Sequence, residues 1–264
     1  MSWSERQQAM LEAMGLRVWT APPVPEPEPT APEPVLAKVE APAPVRVVSV
    51  LPQIVVPVQP AELPRAPAAA GAVAAMDWTQ LREAVAGCRA CGLCEGRKHT
   101  VFGVGHERAH WMVVGEAPGE QEDLQGEPFV GQAGKLLDSM LRAIGLTRAD
   151  GPPEKQVFIA NTLKCRPPRN RNPEPEELAQ CEPYLNRQIA LVQPRIILAM
   201  GRFAVQSLLR SSEPIGRLRG RVHEYQGVPL IVTYHPAYLL RNLVDKARAW
   251  EDLCLAMDVL QRKT

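Results

Sequence analysis

Three cysteines at intervals of three, Cys88, Cys91 and Cys94, stand directly before a glycine-containing turn in the stretch CRACGLCEGRKHTVFGVG. Two more, Cys165 and Cys181, follow far downstream with the spacing C-x15-C. Thiolates at such spacings are ligands of a zinc ion held by four cysteines or of an iron–sulfur cluster. The residues therefore predict a metal centre, and the spacing leaves the choice between the two metals open.

Polar side chains follow three apolar runs of strand length. The loop GEAPGEQED (115–123) comes after the first run, Asn161 ends the second, and His235 follows the third. Ligands bind at the carboxyl ends of the strands in open parallel sheets. We therefore expect these three sites to converge on one pocket.

A broken basic run follows Asn161 in the segment NTLKCRPPRNRN. Beside a pocket, cationic side chains of this kind suit contacts with phosphate groups. The residues are Lys164, Arg166, Arg169 and Arg171.

Strand and helix patterns alternate from Asp77 onward. The predicted strands cover 110–116, 156–165, 195–201 and 229–236, and the predicted helices cover 131–145, 173–193, 202–210 and 246–263. Continuous Val/Ile runs separated by helices are typical of a parallel sheet with both faces covered. The fold class is therefore α/β, a three-layer α/β/α sandwich with a central, mainly parallel sheet.

The N-terminal segments have a different composition. Residues 1–20 contain a short amphipathic helix pattern at 4–15 that could dock a partner. Residues 21–75 are Pro/Ala-rich, with fourteen of the 27 prolines in 22–67. Proline favours extended, solvated backbone, so we predict a disordered, flexible linker here. The catalytic domain is expected at 76–264.

Charge and hydropathy exclude two classes of protein. The formal net charge is +1, which excludes a strongly basic histone-like protein but leaves room for a local nucleic-acid groove. No apolar run is long enough to span a membrane, and the N-terminus lacks the pattern of a secretory signal. We expect a cytoplasmic location, in a bacterial cytosol or nucleoid, where cysteines are thiols or metal ligands.

Four ordered motifs together resemble the family 4 uracil-DNA glycosylases, the iron–sulfur-containing branch of that superfamily. They are GEAPGEQED, PFVGQAG (128–134), NTLKCRPP (161–168) and HPAYLLRN (235–242). The resemblance extends from about Asp77 to the C-terminus. It implies an α/β/α sandwich, a [4Fe-4S] cluster, and an enzyme that flips uracil out of DNA and hydrolyses its N-glycosidic bond to start base excision repair.

The resemblance also implies roles for the residues that would bind the base. Phe129 would stack on the flipped uracil. Asn161 would read the uracil edge, because one amide can donate and accept together. His235 would donate toward uracil O2 as negative charge develops there, and Glu122 would be an acidic residue near the pocket rim.

Further roles concern the attacking water and the DNA. Glu116 and Ala117 match the motif that places the water, and Asn170 matches another polar active-site position. Better-known members of the superfamily carry an aspartate where this chain has Ala117, so Glu116, backbone carbonyls or Asn170 would hold the water. Leu239 or Leu240, both expected to be exposed, would fill the gap left by the extruded nucleotide.

For the cysteines, the resemblance implies the ligand set Cys88, Cys91, Cys165 and Cys181. Cys94 would then be a spare thiol. A cluster that uses Cys94 in place of Cys91 or Cys181 stays open as an alternative.

The sequence is also compatible with two other functions and suggests one partner. A cluster-bearing nucleic-acid-binding or electron-transfer protein without glycosylase activity would not need Asn161, Phe129 and His235 together at strand ends. A sister glycosylase that prefers other deaminated bases is the second alternative. The tail RQQAMLEAMGLRVW (6–19) resembles the N-terminus of the psi subunit of the bacterial clamp-loader assembly, which implies a replication partner. We expect a monomer that acts on uracil-containing DNA.

Overall fold

The computed structural model describes residues 69–262. The predicted N-terminal helix and the predicted linker up to residue 68 lie outside the described residues. A helix occupies Ala69–Ala74, and Val73 is buried within it. This helix lies within the segment 21–75 that was predicted to be a linker.

Six strands form one sheet in the order β1-β3-β2-β4-β6-β5. Strands β3, β2, β4 and β6 are parallel, and the edge strands β1 and β5 are antiparallel to their neighbours. The prediction of a mainly parallel sheet is thus confirmed. The strands are β1 (Val104–Gly105), β2 (Trp111–Gly115), β3 (Val157–Asn161), β4 (Ile196–Met200), β5 (Val222–Tyr225) and β6 (Val228–Thr233).

Ten α-helices and one 3-10 turn connect the strands within residues 69–262. The 3-10 turn covers Pro168–Asn170. The helices are α1 (Ala69–Ala74), α2 (Trp78–Ala86), α3 (Leu93–Gly96), α4 (Glu120–Gln125), α5 (Gln132–Ala143), α6 (Pro175–Val192), α7 (Arg202–Leu209), α8 (Ile215–Leu218), α9 (Pro236–Leu239) and α10 (Asp245–Arg262).

Two apolar layers cover the sheet because successive strand residues point to opposite faces. In β2, Val113 packs with residues of α5 and α10. Its neighbours Met112 and Val114 pack with residues of α6 and α7 on the other face. Every residue of β2, β3 and β4 is buried. The three-layer α/β/α sandwich is therefore confirmed.

The strand order reverses at β2, which lies between β3 on one side and β4 on the other. The parallel register places Gly115 at the end of β2 beside Asn161 at the end of β3. The connection after β2 leads to one side of the sheet, toward β3, and the connection after β3 leads back across β2 to β4 on the other side. A ligand crevice opens at the carboxyl ends of the strands where the order reverses in this way. None of the described helices is both long enough and apolar enough to span a bilayer.

Candidate active site

A pocket of about 190 Å³ opens at the carboxyl ends of β2, β3 and β6. It brings together seven of the residues that the sequence predicts for the site. They are Glu116, Ala117, Glu122, Phe129, Asn161, Asn170 and His235. The two predicted DNA-inserting leucines are not part of its wall.

Asn161 presents an unsatisfied amide to this pocket. The residue is 2% exposed, and its Oδ1 has no hydrogen-bond partner. A buried polar atom without a partner costs about 1–3 kcal/mol, so the site favours a ligand that supplies a donor. Gly115 permits the arrangement, since a Cβ there would lie 2.5 Å from Asn161 Oδ1 and 2.6 Å from Phe129 Cζ.

A buried lysine holds the backbone of Asn161. Lys164 Nζ donates to the main-chain oxygen of Asn161 at 2.8 Å and to Gln188 Oε1 at 2.6 Å. Burial lowers the pKa of Lys164 to about 8, against the opposing effect of the Cys181 and Cys165 thiols. The expected phosphate contact is therefore wrong for Lys164, which lies inside the protein and positions the pocket.

The other basic residues of the run lie at or near the pocket mouth. Arg166 Nε donates to Asn170 Oδ1 at 2.8 Å, which leaves the Asn170 amino group as a donor. Arg171 makes a bidentate pair with Glu177 at 2.9 and 2.6 Å, and these hydrogen bonds lower the pKa of Glu177. Arg169 and Asn170 both have left-handed backbone, with φ of 54° and 55°.

His235 is a neutral hydrogen-bond donor at the N-terminus of α9. Its Nδ1 accepts from the Ala237 amide at 3.2 Å, so the single proton of the neutral ring resides on Nε2. Burial lowers the pKa of His235 to about 4, with Glu122 opposing and Arg241 reinforcing the shift. The ring stacks on Phe129 with centroids 5.4 Å apart.

Glu122 lines the pocket and also accepts hydrogen bonds from three backbone amides. Its Oε1 accepts from the amides of Val130 and Gly131 at 3.0 and 3.1 Å, and its Oε2 accepts from Gly119 at 3.1 Å. The loop that it binds contains Phe129, whose φ of 56° is strained for a residue with a side chain. Glu122 thus lines the pocket and also holds the aromatic ring in place.

For uracil-containing DNA, the substrate that the resemblance implies, we expect Glu122→Ala to raise KM about tenfold and to lower the free energy of unfolding by about 1–3 kcal/mol, because three amides lose their acceptor. Steady-state kinetics and urea unfolding measure the two effects. Gln121→Ala, an exposed change on the same helix, is the control. An unchanged KM in Glu122→Ala would contradict the positioning of Phe129 by this carboxylate.

Glu116 follows β2 with its backbone fixed and its carboxyl group partly buried. Its main-chain oxygen accepts from the Leu163 amide at 3.1 Å and from the Thr162 hydroxyl. Burial raises the pKa of its carboxyl group, and Arg202 opposes that rise. An ionised carboxylate with a raised pKa is a stronger proton acceptor than an ordinary one. Ala117 beside it supplies only an apolar wall.

The two leucines at the C-terminal end of α9 lie in different environments. Leu239 is fully buried and packs in the core that α5 and α10 share. The expectation that it is exposed is therefore wrong, because the last residue of the short helix α9 points toward the sheet. Leu240 is 41% exposed, so it is the one of the pair that lies at the surface.

Five cysteines line a second cavity. They are Cys88, Cys91, Cys94, Cys165 and Cys181. Arg97 Nη1 donates to Cys165 Sγ at 3.1 Å, and the Lys164 amide lies 3.3 Å from Cys181 Sγ. Hydrogen bonds to sulfur are one of the means by which proteins stabilise and tune iron–sulfur clusters.

The donor set fits a centre held by cysteine thiolates. Five sulfur atoms share this cavity, and four of them are enough for either a zinc ion or an iron–sulfur cluster. Burial raises the pKa of Cys181 to about 12 and also raises those of Cys165 and Cys91, so metal binding must displace their protons. Since Cys94 shares the cavity, the alternative ligand set stays open.

Three functional residues were missed by the sequence reasoning. Gly115 ends a buried strand, and a glycine at such a place is a recognisable sign of close approach by another group. Arg97 precedes the predicted sheet with nothing in the sequence to pair it with Cys165. Lys164 was predicted as a member of a basic run suited to phosphate contacts, and only the structure shows that it is buried and contacts Asn161.

Comparison with known proteins agrees with this site. A model of the uracil DNA glycosylase superfamily matches residues 102–254. A type-4 uracil-DNA glycosylase of Archaeoglobus fulgidus is 47% identical over 161 residues, 58% of this chain and 78% of that protein. Those of Saccharolobus solfataricus and Pyrobaculum aerophilum are 42% and 41% identical, over 67% and 68% of this chain and 83% and 93% of theirs. The chain belongs to the type-4 family of the uracil-DNA glycosylase superfamily.

Proposed function

We propose that this chain is a DNA-repair glycosylase that releases uracil from DNA and leaves an abasic site. The observation that carries the proposal is the unpaired buried Oδ1 of Asn161, a residue that lines the same pocket as Phe129 and His235. A pocket of about 190 Å³ is smaller than the sites that hold drug-sized ligands and suits a single base.

Recognition uses the amide and the aromatic ring. Asn161 Oδ1 accepts from uracil N3–H while the amide nitrogen donates to O4. Cytosine offers an acceptor at N3 and a donor at its exocyclic amine, so it would leave both amide groups of Asn161 wrongly paired. Phe129 stacks on the base, and Gly115 leaves room for both contacts.

Bond cleavage separates charge that the pocket stabilises. The C1′–N1 bond breaks, its electron pair leaves with uracil, and positive charge develops on the sugar. The Nε2–H of His235 donates to uracil O2, where the negative charge collects. Water attacks C1′ and its proton passes to the Glu116 carboxylate, with Asn170 and backbone carbonyls as the other groups that could hold the water.

DNA must deform before this chemistry can begin. Uracil in a duplex is buried in the stack, so extruding it costs a few kcal/mol, which contacts with the extruded base must offset. Leu240 fills the space that the nucleotide leaves, since Leu239 is buried. Arg169 and its neighbours at the pocket mouth suit the phosphates beside the flipped nucleotide.

Cys88, Cys91, Cys165 and Cys181 would hold a [4Fe-4S] cluster. When bound, the cluster supplies a structural crosslink between the 88–97 segment and the loop after β3. That loop begins directly after Asn161 and carries Asn170, so its anchorage orders the pocket. Arg97 and the Lys164 amide stabilise the sulfurs.

The proposal also covers the cellular location, the oligomeric state and a partner of the enzyme. We place the enzyme in the cytoplasm, acting as a monomer on DNA. Residues 1–20 would dock a replication partner, which would raise the local concentration of the enzyme at DNA. Only the resemblance of that segment to the psi subunit supports the partner.

The proposed glycosylase activity is tested with an oligonucleotide that contains one uracil. We expect the purified holoprotein to produce alkali-labile abasic sites and Asn161→Ala to reduce their rate of formation by roughly 10²-fold or more, since a pocket built for hydrogen bonding then loses them. Asn186→Ala, on the outer helix α6 and outside the pocket wall, is the matched control. Release of hypoxanthine but not uracil, or no release of either base, would overturn the proposal.

A further inference from the structure

One buried carboxylate near the pocket has no part in the proposed chemistry. Asp123 lies on α4 next to Glu122 and is 3% exposed, but it is not part of the pocket wall. No ion pair within residues 69–262 includes it. A buried carboxylate without a cation beside it must be stabilised by hydrogen bonds. The partners of Asp123 therefore show what this residue holds together.

Hydrogen bonds join Asp123 to the segment 97–99, which follows α3. Its Oδ1 accepts from the Lys98 amide at 2.9 Å and from the His99 amide at 3.4 Å. The main-chain oxygen of Asp123 lies 3.0 Å from His99 Nδ1. A Cβ on Gly126, directly after α4, would lie 3.7 Å from His99 Cβ, so the end of the helix also lies against this segment. Asp123 thus anchors α4 to the segment 97–99.

The neighbouring carboxylate connects α4 to a second loop. Glu122 accepts from the amides of Val130 and Gly131, and this loop contains Phe129. Adjacent residues on a helix do not face each other, so Glu122 and Asp123 contact different parts of the protein. Helix α4 has only six residues, and a helix of that length is not stable by itself in water. Its position therefore depends on the contacts that these two carboxylates make.

The segment 97–99 is itself fixed to the loop after β3. Arg97 Nη1 donates to Cys165 Sγ at 3.1 Å. Two residues beyond the segment, the Val101 amide donates to the main-chain oxygen of Lys164 at 2.8 Å. The segment thus gives α4 an anchored support that lies outside the pocket.

We propose that Asp123 is a positioning residue for Phe129. By holding α4 on the segment 97–99, Asp123 keeps Glu122 in place to bind the amides of residues 130–131. Phe129 has a strained φ of 56°, and such a conformation persists only while surrounding contacts hold it. The inference rests on the proposed function, in which this ring stacks on uracil, and it adds a residue outside the pocket that determines where the ring lies.

Hydrogen exchange tests this support without reference to catalysis. Asp123→Leu is similar in size but has no acceptor, whereas the amide oxygen of Asp123→Asn can still accept from both amides. In Asp123→Leu we expect exchange to become about tenfold faster or more at the 98–99 amides and also at the 130–131 amides, which bind Glu122 and not Asp123. Asp123→Asn should resemble the wild type. Gln125→Ala, an exposed change on the same helix, is the control.

Steady-state kinetics on a uracil-containing oligonucleotide test the link to the base. A merely structural loss would reduce the amount of active enzyme and lower kcat without a change in KM. We expect Asp123→Leu to raise KM about three- to tenfold and Asp123→Asn to restore it, because the variant acts through the ring that contacts the base. In a Phe129→Ala background the same change should have no further effect on KM, since both substitutions then remove one contact.

The outcomes separate this inference from the proposed function. Unchanged exchange at 130–131, or a full KM effect that persists in the Phe129→Ala background, would overturn the positioning role. Loss of iron from Asp123→Leu would overturn it too, because the residue would then support the cysteine site. If Asp123→Leu does not fold, His99→Ala removes one contact with Asp123 by an exposed change, and unchanged exchange at 130–131 would again contradict the proposal. A wild type that releases no uracil would remove the glycosylase, whereas the exchange rates would still decide whether Asp123 supports the loop of Phe129.

Discussion

Replacing His235 by alanine is expected to lower the rate of uracil release by about 10²–10³-fold, the usual cost of removing one preorganised donor to a developing anion. The same change removes the acceptor for the Ala237 amide, which caps α9. His235→Asn separates the two effects, because asparagine is a good helix cap but is too short to replace Nε2–H. We expect equal rate losses in both variants, with the unfolding temperature preserved in His235→Asn. Single-turnover kinetics measure the chemical step. A normal rate in either variant would contradict the role of His235 as the hydrogen-bond donor to uracil O2.

The pH dependence tests the protonation state of the same residue. The pKa of His235 is about 4, below its usual 6.5, so the folded protein keeps the ring neutral from pH 5 to 8. Between pH 6.5 and 4 only the unfolded chain takes up the proton, so this contribution to stability is complete above pH 6.5 and decreases as pH falls. Wild type should therefore lose more stability between pH 7.5 and 5 than His235→Asn.

The activity of the enzyme should have a different pH dependence. A loss of activity at acid pH is expected from protonation of Glu116, whose pKa is raised. A rate that rises as pH falls below 6.5 would contradict the neutral donor.

Cys165→Ser is expected to abolish visible absorbance, lose iron and destabilise the fold by several kcal/mol, because the free energy of metal binding is part of the free energy of folding. Uracil release should fall with it, since Cys165 lies four residues beyond Asn161 and anchors the same loop. Iron analysis, absorbance and urea unfolding of the purified protein measure these effects independently of activity.

Cys94→Ser is the matched control and should retain its colour and iron. Loss of iron in Cys94→Ser together with retention in Cys91→Ser would instead establish the alternative ligand set. A colourless wild type that contains zinc would contradict the cluster.

Local patterns were sufficient for most of the scaffold. The inner strands and the long helices were predictable because continuous apolar runs and helical periodicity are properties of short segments. The edge strands β1 and β5 were missed for the opposite reason. β1 has only two residues, and in β5 Val222 and Glu224 are exposed, so the strand character of both depends on the neighbour they pair with.

The residues of the site also fall into those that were predictable from the sequence and those that were not. Asn161 and His235 were predictable as neighbours because chain direction in a parallel sheet brings strand ends together, and the resemblance in four ordered motifs added Phe129. How the side chains are used depends on tertiary packing, which no local pattern contains. It buried Leu239 and Lys164, since burial depends on packing partners that are far away in the sequence.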